Sequence, residues 1–106
     1  MKFGLREEDL SYIVSALKQF PEIKKAFIFG SRAKGTYKNG SDIDIAILGP
    51  AVSFTTVSRL HAMLEDEGPL PYLIDIVDYE HTDNPALKAH IDRVGVLIME
   101  TPLSRH

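Results

Sequence analysis

The chain has 106 residues, a size that fits one compact domain with a real core and leaves little mass for a second module. Its formal net charge of -3, from 12 basic and 15 acidic side chains, argues against a dedicated nucleic-acid binder, which normally shows a basic face. There is no cysteine, which excludes a disulfide framework and a thiolate metal site.

Leu10, Ile13, Val14 and Leu17 recur at helical spacing, with Glu7, Glu8 and Asp9 where acidic groups favour the positive end of a helix dipole. Pro21 stops that helix. Residues 23–29 follow as a strand, and the run Ala26-Phe27-Ile28-Phe29 reads as buried on both faces. Gly30 closes it, and residues 30–41 form a glycine-rich polar loop with room for a short helical turn. From Asp42 to Leu48 the chain alternates as a strand, with Ile43, Ile45 and Ile47 on one face and Asp42 and Asp44 on the other.

Ser53 caps a second long helix that buries Val57, Leu60 and Leu64 and stops at Gly68-Pro69. Residues 73–77 form a third strand, apolar except for Asp75. Asn84-Pro85 is a cap and first residue for another helix, with Leu87, Ile91 and Val94 on one side and Gly95 at its end. Val96 to Met99 adds an edge strand before a frayed tail. Strands alternating with helices predict an α/β (α+β) domain over residues 1–106, a sheet with helices packed against it. The link between the first two strands is short, so a mixed sheet is expected. The amino terminus lacks the apolar stretch of a signal peptide, no segment has transmembrane length, and a cytoplasmic location is expected.

The chemistry lies in three elements: Gly30-Ser31, Asp42-x-Asp44 and Asp75. Aspartate is depleted in strands because its short side chain competes for backbone hydrogen bonds, so two on one strand face is a mild anomaly. Read singly, the pair is the wet face of a strand, Asp75 an edge acid and Gly-Ser a turn. Together they say more. Three carboxylates meeting at about 4 Å would repel by roughly 4 kcal/mol per pair at an effective dielectric near 20. Divalent cations relieve that load at neutral pH, and oxygen-only ligands suit Mg²⁺ or Mn²⁺ better than zinc. A glycine lets a phosphate approach the backbone, and successive N–H groups with a serine hydroxyl cradle its oxygens. Other residues have plainer readings: His61 and His90 as packing groups, Tyr37 as an exposed loop side chain, Lys34 and Lys38 as surface charges.

Gly30-Ser31, ten intervening residues and Asp42-x-Asp44 resemble the GS-x10-D-x-D signature of the DNA polymerase β-like nucleotidyltransferases. The stretch FIFGSRAKGTYKNGSDIDIAI is especially similar to minimal nucleotidyltransferases, the MNT proteins, and the likeness covers nearly the whole chain. Lys34 stands where many relatives carry arginine. The resemblance implies that Asp42 and Asp44 bridge two Mg²⁺ ions and Asp75 ligates the catalytic one. Gly30, Ser31 and Arg32 would hold the phosphates of ATP. It further implies a hetero-oligomer with a helical HEPN protein, in which the MNT antitoxin transfers AMP from ATP to a tyrosine of the HEPN toxin. The alternatives are a binding subunit that neutralises a HEPN partner by contact, and transfer to a small molecule or an RNA end. No membrane contact and no direct, stable nucleic-acid binding are expected.

Overall fold

The computed structural model describes residues 2–101; residues 102–106, where the frayed tail was expected, lie outside the described residues. The elements run α1 (Glu7–Lys18), β1 (Lys25–Phe29), α2 (Gly30–Lys34), β2 (Ile43–Leu48), α3 (Phe54–Glu65), β3 (Ile74–Asp78), α4 (Pro85–Val94) and β4 (Val96–Glu100). The four strands form one mixed sheet in the order β3-β2-β1-β4. β1 is antiparallel to both β2 and β4, while β2 and β3 are parallel. The expected mixed sheet with helices against it is therefore the observed fold. No helix among the described residues is long and apolar enough to cross a membrane.

Local chemistry explains the helix limits. Ser53 and Thr56 form a reciprocal capping box at the start of α3, and Asn84 accepts from the Leu87 N–H ahead of Pro85 at α4. α1 departs from its expected stripe. Its buried residues are Asp9, Ile13, Ala16 and Leu17, whereas Leu10 and Val14 are only partly covered. The stripe turns toward Asp9 because Arg6 donates two hydrogen bonds to that carboxylate, both at 3.3 Å, so its charge is compensated. The capping box also changes α3: Thr56 is buried and donates to Glu22 at 2.7 Å, while Val57 is only half-buried.

The sheet has two unequal faces. Ile43, Ile45 and Ile47 are fully buried in the main core, which includes Ile13 and Leu17 of α1 and Leu60 and Leu64 of α3. The opposite face carries a smaller cluster of Phe29, Ala46 and Ile91, with Val77, Leu87 and Val94 packed around it. α4 thus covers part of that second face. Asp44 belongs to this face too, near the start of β2, and Asp42 immediately precedes the strand.

Candidate active site

β1 delivers the chain to Gly30, whose φ of +72° is the left-handed conformation that glycine adopts at little cost. This lets β1 pass directly into α2. A Cβ added there would collide with the Asp44 carboxylate, so the turn and the aspartate are in close contact. Ser31 is half-buried in the first turn of α2, and Gly35, with φ +82°, ends that helix. The glycine-rich segment expected to hold a helical turn therefore holds α2.

Asp44 lies opposite Asp75 in the register of the parallel β2–β3 pair. Registered residues on neighbouring strands point to the same face, about 4.8 Å apart along the hydrogen-bonding direction. Asp42 lies two residues upstream, just ahead of β2. Asp44 and Asp75 thus stand together on one face, with Asp42 close enough for its charge to be felt at Asp44. Their mutual field shows in Asp44, whose carboxyl is pushed up from 3.8 to about 6. Partial burial is the largest cause, followed by the negative charges of Asp75 and Asp42, with Arg32 pulling the other way.

Among the described residues, no three His, Asp or Glu side chains stand close enough to form a complete metal cage by themselves. Magnesium does not need one. It keeps several waters and binds through one or two carboxylates together with substrate phosphates. The oxygen-only donor set, the raised Asp44 carboxyl and the glycine turn against it fit a hard divalent cation that arrives with a triphosphate.

Arg32 has a different setting from the phosphate contact the sequence suggests. It is buried, its Nε and Nη2 donate to the Ser41 carbonyl at 3.1 and 2.7 Å, and Nη1 donates to the Phe3 carbonyl at 2.8 Å. The five-donor fork is largely committed to main chain, which turns a loop arginine into an internal brace. Lys34 and Lys38 are exposed, as expected of surface charges. Tyr37 is 37% exposed, but its ring is not idle: Arg32 stands over it at 5.3 Å. His90 packs edge-on against Phe29, and His61 pairs with Glu65 at 2.9 Å.

Three contributors carry no signal in the sequence. Glu65 accepts from the Ile74 N–H at 2.7 Å and so anchors β3 one residue before Asp75. Tyr72 stacks on Arg32 at 4.7 Å, and Phe3 offers its carbonyl to the same guanidinium. Each acts through a long-range contact that no local pattern announces.

A glycine turn against converging carboxylates on a mixed sheet is the site of a nucleotidyl-transfer fold, and comparison with known proteins agrees. Residues 11–102 match the family described as Polymerase beta, Nucleotidyltransferase, and the chain belongs to that family. It is 31% identical over 100 residues to the probable protein adenylyltransferase MntA of Haemophilus influenzae, spanning 93% of this chain and 86% of that protein. Among solved structures, a toxin–antitoxin complex with AMP-PNP superposes with a TM-score of 0.74 at 26% identity, covering 87% of this chain and 73% of that one. The complex of a tri-AMPylated Shewanella oneidensis HEPN toxin with its MNT antitoxin shares the fold, with a TM-score of 0.70 at 21% identity over 92% of this chain and 74% of that one.

Proposed function

We propose that this chain transfers AMP from ATP to a hydroxyl group, with a tyrosine of a helical HEPN-type partner as acceptor, and so acts as an antitoxin. The observation that carries the reading is the register of Asp44 with Asp75 beside the Gly30 turn. The relative from Haemophilus influenzae is named as a protein adenylyltransferase, and the similar complexes are toxin–antitoxin pairs. An acceptor hydroxyl carried by a partner macromolecule accords with the toxin–antitoxin complexes that this chain resembles.

In this reading Asp42, Asp44 and Asp75 would hold Mg²⁺, two ions in all, and Mn²⁺ would satisfy the same oxygens. When bound, the metal supplies Lewis acidity at the acceptor oxygen and neutralises charge on the phosphates. Ser31 and the Gly30 main chain hold the terminal phosphates. The acceptor oxygen forms a bond to the α-phosphorus while the bond to the bridging oxygen of the β-phosphate breaks. Pyrophosphate leaves, and the hydroxyl proton passes to the exposed Asp75 carboxylate or to solvent.

The test is the intact mass of the partner after incubation with ATP and Mg²⁺, using wild type and Asp42→Asn in parallel. The proposal expects an added adenylate with the wild type alone. A complex that forms without any added mass would overturn the transfer and favour a subunit that neutralises its partner by contact.

A further inference from the structure

Arg32 is 3% exposed, yet no carboxylate forms an ion pair with it among the described residues. A buried charge without a partner is costly, so its surroundings must be arranged to hold it. They are. The Ser41 carbonyl accepts from Nε and Nη2, the Phe3 carbonyl accepts from Nη1, and the guanidinium also stands over Tyr72 and Tyr37. Stacking on aromatic faces and a planar fork of donors are properties lysine lacks.

These contacts come from three separate pieces of chain. Ser41 immediately precedes Asp42, and Tyr72 lies shortly before Asp75. Phe3 belongs to a tight amino-terminal turn closed by the Leu5 N–H donating to the Lys2 carbonyl at 2.8 Å. In that turn Phe3 has a φ of +59° and is the single non-glycine residue with positive φ among the described residues. Such strain persists where the surroundings over-determine the backbone. Gly4 follows with φ +70°, and a Cβ on it would strike the Tyr37 ring. The turn is therefore seated on the same loop that Arg32 grips from below.

We propose that Arg32 is a positioning residue that ties the Lys2–Leu5 turn, the Gly35–Ser41 loop and the Tyr72 approach to β3 into one rim, and that this rim sets where Asp42 stands relative to Asp44 and Asp75. The amino-terminal turn is thus part of the machinery that builds the site, although it offers no ligand. The inference rests on reading that site as a nucleotidyl-transfer centre, and it replaces a direct phosphate contact by Arg32.

The experiment compares wild type, Arg32→Lys and Gly4→Ala as full chains, by amide hydrogen exchange and by kinetics with the partner, ATP and Mg²⁺. Exchange at Thr36 and Ser41, whose N–H groups are bonded to Ser31 and Lys38 carbonyls, should accelerate about tenfold or more in both variants. The half-saturating Mg²⁺ concentration should rise and kcat should fall, with KM for ATP moving less than about threefold. A KM for ATP raised about tenfold in Arg32→Lys, with loop exchange and Mg²⁺ dependence unchanged, would make Arg32 a phosphate ligand and overturn the proposal. If Arg32→Lys does not fold, Gly4→Ala decides alone, and wild-type exchange in its loop would equally overturn it. A wild type that transfers nothing would sink the proposed activity, while the exchange comparison would still decide the role of Arg32.

Discussion

Asp44 and Asp75 sit side by side across the parallel β2–β3 pair, although the whole of α3 separates them along the chain. The crossover through α3 puts the two strands in the same direction, and the register then puts both carboxylates on one face. Unliganded, that arrangement opposes stability; occupied by a divalent cation, it is the centre of the proposed chemistry.

Asp44→Asn should separate those two effects. Removing one carboxylate weakens transition-state charge stabilisation by about 3 kcal/mol, which is about a 100-fold loss of transfer rate. The same substitution relieves repulsion from Asp75 and Asp42, so the metal-free variant should melt above the wild type near neutral pH. Added Mg²⁺ should raise the melting temperature of the wild type and do little for the variant. Thermal scans with EDTA and with Mg²⁺ check this directly.

The raised Asp44 carboxyl predicts a pH dependence of the metal-free protein. Its folded value of about 6 lies above the ordinary carboxyl value of 3.8, so the native state binds the proton more tightly than the unfolded chain does. The stabilising contribution is complete below the unfolded value and is lost as pH rises through about 6. In EDTA, urea midpoints at about pH 5 and about pH 7.5 should show the wild type losing stability relative to Asp44→Asn as pH increases. An unchanged difference between the two proteins would refute the assignment.

Gly30→Ala meets two obstacles, the positive φ and the collision with Asp44. The backbone strain alone should cost about 1–3 kcal/mol, and the displaced carboxylate should remove most of the transfer activity. Gly35→Ala is the control. It shares the positive φ, but nothing lies within reach of its added Cβ, so it should lose stability while keeping far more activity. Equal loss of activity in the two variants would deny the contact its importance.

Glu65 anchors the start of β3 through the Ile74 N–H. Glu65→Ala leaves that donor to solvent and should cost about 1 kcal/mol, while Glu65→Gln keeps an acceptor and should recover much of it. Because Ile74 adjoins Asp75, the alanine variant should also lower the transfer rate, and glutamine should restore it. Denaturant midpoints and initial rates measured side by side would show whether stability and rate move together.

Much of this protein was legible in its residues one after another. Ser53 and Asn84-Pro85 mark helix starts because their side chains and fixed φ act within one turn, and Ile43, Ile45 and Ile47 mark a strand because side chains alternate with period two. The spacing of Gly30-Ser31 from Asp42 and Asp44 is likewise local, which is why the candidate site could be drawn from it. The tertiary structure alone decided what depends on contacts between distant segments. It set the register that pairs Asp44 with Asp75, rotated the α1 stripe to bury Asp9 against Arg6, and committed the Arg32 fork to carbonyls from Phe3 and Ser41. A hydrogen bond or a strand register between remote residues leaves no period in the chain, because its geometry exists only once the intervening elements have packed.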